Sequence, residues 1–124
     1  MRTISITETQ IMKELWDKGE DLSAQDLHRL LLEHYGKDHK PSTLRTFISR
    51  LLEKGYITTY RIGRYSFLRP LVSEDEYKQM IAEQQITEWH NGSLFNFIAC
   101  FGKKNTLSKT EKEQIRKWID DMDN

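Results

Sequence analysis

The chain has 124 residues, 31% of them charged and 37% hydrophobic, with acidic and basic side chains in equal number. A chain of that length makes one domain, or two small units sharing a core. No apolar run approaches the ~18 residues of a membrane span, and the N-terminus, MRTISITETQ, lacks the apolar stretch of a secretory signal. The single cysteine, Cys100, excludes an internal disulfide and any multi-cysteine zinc site, so a cytoplasmic protein with no membrane association, no metal and no cofactor is expected.

Net neutrality conceals an uneven distribution. Residues 40–69 hold seven basic side chains against the single acid Glu53, a net +6, whereas residues 73–124 are net −3. Binding of a polyanion depends on the local charge that faces its phosphates, so the basic middle segment matters more than the total.

In chain order, Thr7 with Gln10 forms a capping-box pattern opening a first helix. Ile11, Met12, Leu15 and Trp16 give its apolar face, and Gly19 stops it. Ser23 caps a second helix with Leu27, Leu30 and Leu31 inward, ended by Gly36. The turn GKDHKP leads to a third helix, expected from a Ser42 cap to about Lys54, with Gly55 where a left-handed residue is cheapest. On this helix Leu44, Phe47, Ile48, Leu51 and Leu52 form one side. Ser42, Thr43, Arg45, Thr46, Ser49 and Arg50 form the other.

The period then changes from 3.6 to 2. Residues 56–69, YITTYRIGRYSFLR, read as two strands around a turn at Gly63, closed by Pro70. A two-stranded hairpin is unstable alone and must lean on the helices. Beyond it, Ser73 and Glu76 cap a fourth helix running to about His90, with Tyr77, Met80 and Ile81 on its apolar face. Asn91-Gly92 breaks it, and a very apolar fifth helix follows. Ser108 and Glu111 then cap a sixth.

Three short helices followed by a two-stranded hairpin predict a mainly α fold with a small β-hairpin: a winged helix-turn-helix domain over residues 1–72 and a helical domain over 73–124. In that arrangement helix 42–54 is the recognition helix. Its buried stripe would hold Ser42, Thr43, Arg45, Thr46, Ser49 and Arg50 outward, where arginine can pair bidentately with guanine and a threonine methyl can meet a thymine methyl. Arg61 and Arg64 on the hairpin suit phosphate or minor-groove contact. A polar helix face is commonly only solvated surface. Here the near absence of acids, the preceding turn and the basic hairpin together favour DNA. The rival reading is a protein-interaction module whose basic face binds an acidic partner, and it would show no preference among duplex sequences.

The C-terminal helices pose a packing problem. Leu94, Phe95, Phe97, Ile98, Phe101, Ile115, Trp118, Ile119 and Met122 would leave apolar faces wet in so small a unit. A homodimer in which this segment pairs with its own copy would bury them symmetrically and set two recognition helices on a palindrome. The alternative is a monomer in which these helices fold back on residues 1–72.

Other constellations carry less. His28, His34 and His39 do not share a helix face, so no metal site is expected. Asp120, Asp121 and Asp123 read as a solvated acidic terminus. Cys100, beside Phe97, Ile98 and Phe101, is expected to be an inert core thiol. There is no P-loop, nucleotide fingerprint, HExxH or serine-elbow pattern, so an enzyme is not expected.

The runs TETQIMKELWDKG, STLRTFISRLLEKGYI, YRIGRYSFLRP and LSKTEKEQIRKWIDD together resemble the penicillinase-repressor (BlaI/MecI/CopY) family of bacterial transcriptional repressors, over about residues 5–122. The resemblance implies a winged-helix N-terminal domain, a helical dimerisation domain and repression by binding a dyad operator of TACA/TGTA-like half-sites. Carried over by position, Thr43, Arg45, Thr46 and Arg50 are the recognition residues. In antibiotic-responsive members an Asn–Phe bond in the fifth helix is cleaved; the aligned bond here is Cys100–Phe101, and Asn96–Phe97 lies one turn out of register. The cysteine-rich tail of copper-responsive members is absent from the ending KWIDDMDN. The inducer, and any sensor or protease partner, are left open.

Overall fold

In the computed structural model, which describes residues 1–122, the first helix starts two residues earlier than the Thr7–Gln10 pattern predicts. Helix α1 (Ile6–Lys18) is capped by Ser5, whose hydroxyl accepts from the Glu8 amide while the Glu8 carboxylate accepts from the Ser5 amide. Two overlapping capping boxes compete here. The one with a carboxylate prevails because a negative charge is favoured at a helix N-terminus and an amide gains nothing there. Gly19 ends α1 at φ 68°.

A two-residue strand that sequence periodicity is too short to reveal comes next. β1 (Leu22–Ser23) leads without a linker into α2 (Ala24–Tyr35), and Ser23 is both the last strand residue and the cap of the helix. Helix α3 (Pro41–Glu53) opens one residue before the expected Ser42 cap. Pro41 occupies the first turn, where its fixed φ suits a helix and its missing N–H costs nothing, so Lys40 becomes the N-cap and Ser42 lies inside the helix. β2 (Ile57–Ile62) and β3 (Tyr65–Pro70) pair antiparallel from Ile57↔Pro70 to Ile62↔Tyr65. That register leaves Gly63 and Arg64 as a two-residue turn with Gly63 at φ 59°. A glycine at the first central position matches the hairpin turns whose twist suits the flanking strands. The predicted hairpin is therefore part of a three-stranded sheet, ordered β1-β3-β2.

The core of this first unit gathers Ile11, Met12 and Leu15 of α1, Leu27 and Leu31 of α2, Leu44 and Leu51 of α3, and Ile57 and Leu68 of the sheet, all nearly inaccessible. Leu52, predicted to lie on the same stripe, is exposed. It sits about 100° around the helix from Leu51, beyond the edge of the buried face. Tyr56, wholly buried, donates from its hydroxyl to the Arg2 carbonyl. Trp16 donates from Nε1 to the Val72 carbonyl at 2.9 Å, and its ring packs against Tyr77 on the first turns of α4 (Glu74–Trp89). The reciprocal Ser73–Glu76 capping box expected for α4 is present. The chain divides into two compact units, Met1–Met80 and Ile81 onward, so the first turns of α4 belong with the helix-turn-helix and its sheet.

In the second unit Asn91 (φ 54°) and Gly92 (φ 76°) end α4 with two consecutive left-handed residues. α5 (Leu94–Phe101) is capped by Ser93 and α6 (Lys109–Asp121) by Ser108. The buried His90 meets Asn96 Oδ1 through Nδ1 at 2.6 Å and stands edge-on to Phe97. Neither α5 nor α6 buries a single residue. Cys100, expected in a core, is exposed, because no second layer among the described residues covers the apolar α5. Asp123 lies outside the described residues. No helix among the described residues is long and apolar enough to cross a membrane.

Candidate nucleic-acid interface

Helix α3 owes its orientation to Leu44 and Leu51, 5% and 0% exposed, with half-buried Phe47 and Ile48 beside them. These residues recur at helical spacing and hold one face against α1 and β2. The opposite face is left in solvent: Ser42, Thr43, Arg45, Thr46, Ser49 and Arg50 are all exposed. Thr46 donates its hydroxyl to the Ser42 carbonyl at 3.1 Å. Arg45 Nε reaches back to the Pro41 carbonyl at 3.5 Å. The Arg50 guanidinium lies 5.7 Å from the centroid of the Phe47 ring, a cation–π contact that restrains it without using its donors.

The basic middle segment separates into two groups. Lys54 and Arg69 are engaged in ion pairs. Lys54 Nζ meets the Glu8 carboxylate at 2.9 and 3.2 Å, and Arg69 Nε meets Asp21 Oδ2 at 3.0 Å. Burial by itself pushes the Glu8 carboxyl up. The bonds from Lys54 and Ser5 outweigh that and hold it below the ordinary glutamate value. Among the described residues Lys40, Arg45, Arg50, Arg61 and Arg64 enter no ion pair, and all five are exposed. Arg61 and Arg64 lie at the distal end of the hairpin, flanked by Ile62 and Tyr65, which are also exposed. Sequence reading placed Lys40 in the basic segment without assigning it a role. As the N-cap residue it sits at the head of α3, a position that Pro41 alone would have disclosed.

At the root of the hairpin one carboxylate oxygen gathers two donors. Asp21 Oδ2 accepts from the Tyr60 hydroxyl at 2.6 Å as well as from Arg69, and the Arg69 guanidinium stacks 4.9 Å above the Tyr60 ring. Hydrogen bonding to Asp21 pushes the Tyr60 phenol above its ordinary value. Tyr60 stacks in turn on Phe67, its cross-strand partner. Neither Asp21 nor this use of Tyr60 was foreseen. The partners lie 39 and 48 residues apart, beyond any local pattern.

The residues expected to form an apolar face in the second unit are left uncovered in the single chain. Leu94, Phe95, Ile98, Phe101, Trp118, Ile119 and Met122 are exposed, Phe95 to 79% and Trp118 to 60%; Phe97 and Ile115 are half-buried. His28, His34 and His39 are engaged separately: His28 with Asp38 at 3.1 Å, His34 with the buried carboxylate of Glu14, and His39 edge-on to Phe47. No group of three metal-ligating side chains comes together among the described residues.

The sequence model of the penicillinase repressor family matches residues 4–121. The chain is 27% identical over 119 residues to a penicillinase repressor of Staphylococcus aureus, covering 96% of this chain and 92% of that one. It is 27% identical over 113 residues to the methicillin resistance regulatory protein MecI of S. aureus strain N315, covering 91% and 89%. The DNA-binding domain of the repressor BlaI, solved in solution, superposes with a TM-score of 0.52 at 26% identity, over 62% of this chain and 94% of that domain. With the winged helix in place, the chain belongs to the penicillinase repressor family of DNA-binding transcriptional regulators.

Proposed function

We propose that the protein represses transcription as a homodimer bound to a palindromic operator of TACA/TGTA-like half-sites. α3 enters the major groove, and Ser42, Thr43, Arg45, Thr46, Ser49 and Arg50 face the base edges. Arg61 and Arg64 meet the flanking backbone, and repression follows from occupying the promoter in the cytoplasm. The observation that carries this reading is the outward face of α3: six short polar or guanidinium side chains, all exposed, backed by the buried Leu44 and Leu51. The apolar side chains that α5 and α6 leave in water support the dimer, since a second copy would cover them.

Selection of bound sequences from a random duplex pool tests the reading. A dyad with fixed half-site spacing is the expected product, and an unenriched pool would instead fit a module that binds acidic proteins. Arg50→Ala should weaken binding to the selected duplex by about 1–3 kcal/mol and relax the preference at one position of each half-site. An unchanged preference in a gel shift removes Arg50 from the readers.

A further inference from the structure

We propose that Asp21, which bonds to none of the DNA-facing side chains, is a positioning residue that sets where the hairpin stands relative to α3, and so whether Arg64 reaches the phosphate backbone. The inference rests on the DNA-binding reading given above. The root of the hairpin is anchored in the core by Ile57 and Leu68, but none of residues 60–67 is buried. β1 contributes only two residues, paired Leu22↔Leu68 and Ser23↔Phe67, and β2 is hydrogen-bonded to β3 alone. Beyond that anchored root, a two-stranded ribbon flanked by so short a strand has few contacts that oppose twisting and bending.

Asp21 supplies the missing constraint. Extending the β1–β3 register by one residue sets it opposite Arg69, with which it pairs at 3.0 Å. The same oxygen accepts from Tyr60 on β2 at 2.6 Å. One carboxylate therefore ties both edge strands together across the central one. Two residues later Ser23 caps α2, so the tie also joins the hairpin to the helix-turn-helix. The carboxylate is 23% exposed, which shields it from much of the screening that weakens surface ion pairs. The cation–π contact of Arg69 with Tyr60 and the stacking of Tyr60 on Phe67 close the cluster, and the next residue outward along β2 from Tyr60 is Arg61.

The test uses the full chain and a fluorescein-labelled duplex of random sequence, whose binding depends on phosphate contacts. Affinity is read by anisotropy across a salt series, at a temperature where circular dichroism shows each variant folded. Arg64→Ala should flatten the slope of log affinity against log salt by about one and weaken binding several-fold. Asp21→Ala should do the same without removing any cation. Combined with Arg64→Ala it should add little, because both changes remove one contact. Tyr60→Phe, which deletes one hydroxyl and keeps both rings, should move affinity and slope in the same direction by a smaller amount, and it carries the test if Asp21→Ala fails to fold. Wild-type affinity and slope in folded Asp21→Ala, or losses that multiply in the double variant, would overturn the positioning role. A wild-type protein that binds no duplex at all would overturn the DNA reading itself, and this inference with it.

Discussion

Lys54→Met should destabilise the protein by about 3 kcal/mol while leaving its affinity for DNA nearly intact. The Glu8 side chain is 1% exposed, and Lys54 is its ion-pair partner among the described residues, bonding to both carboxylate oxygens. Breaking a buried pair by removing one partner costs about 3–5 kcal/mol, since the remaining charge stays desolvated. The lower end applies because Lys54 is itself partly exposed and the Ser5 amide still donates to Glu8 at 2.8 Å. In a unit of this size the loss corresponds to a fall in Tm of about 12–24 °C. Urea denaturation followed by far-ultraviolet circular dichroism measures it. The pH dependence provides a second check. The Glu8 carboxyl is held below its ordinary value of 4.5, so the stability it confers is complete above that pH and is lost as pH falls through its depressed value. In Lys54→Met the desolvated carboxylate is instead relieved by protonation, so the gap between wild type and variant should narrow on acidification. Replacing both partners, as Glu8→Leu with Lys54→Met, should recover most of the loss. A cost under about 1 kcal/mol, or a gap that widens as pH falls, would refute the assignment of Lys54 to the fold rather than to the polyanion.

Three further outcomes are expected. Phe95→Asp should shift the proposed dimer to monomer in sedimentation equilibrium with its helix content retained, because Phe95 is 79% exposed in the single chain; an unchanged mass would remove α5 from the proposed interface. Leu51→Ala should cost about 2–5 kcal/mol in urea denaturation, the range for emptying a fully buried leucine site, and should weaken DNA binding only through the unfolded fraction. Ser5→Ala should cost about 1 kcal/mol and Thr7→Ala much less, since Ser5 caps α1; the reverse order would restore the later start predicted from the Thr7–Gln10 pattern.

How much of this was legible in the sequence depended on how far apart the interacting residues lie. The caps at Ser23, Ser73 and Ser108 and the stops at Gly19 and Gly36 are written within four residues of the feature they specify, and the structure has each of them. The hairpin was legible from the change of period and from Gly63. The outward face of α3 followed from the spacing of Leu44, Phe47, Ile48 and Leu51, with the exposed Leu52 wrongly added to that stripe. The starts of α1 and α3 were misread because two signals overlapped in each: Ser5–Glu8 with Thr7–Gln10, and Pro41 with Ser42. β1 escaped because two residues have no period. The ion pairing of Lys54 and Arg69 was illegible, since their partners Glu8 and Asp21 lie 46 and 48 residues away. Cys100 was misplaced because an apolar neighbourhood in sequence implies burial only when a second layer is present.

Ser23 serves two masters without an intervening residue: it pairs with Phe67 in the sheet, and its hydroxyl accepts from the Asp26 amide at 3.1 Å to begin α2. An amino acid inserted at this seam would have to break either the strand register or the helix start, and a slip of one position would turn Leu22 out of the core. Natural variation in chain length is therefore expected to collect elsewhere, in the mainly solvent-facing run 36–40 and around the Gly63 tip. The fold has a stiff seam and two elastic margins, and graftable loops belong at the margins.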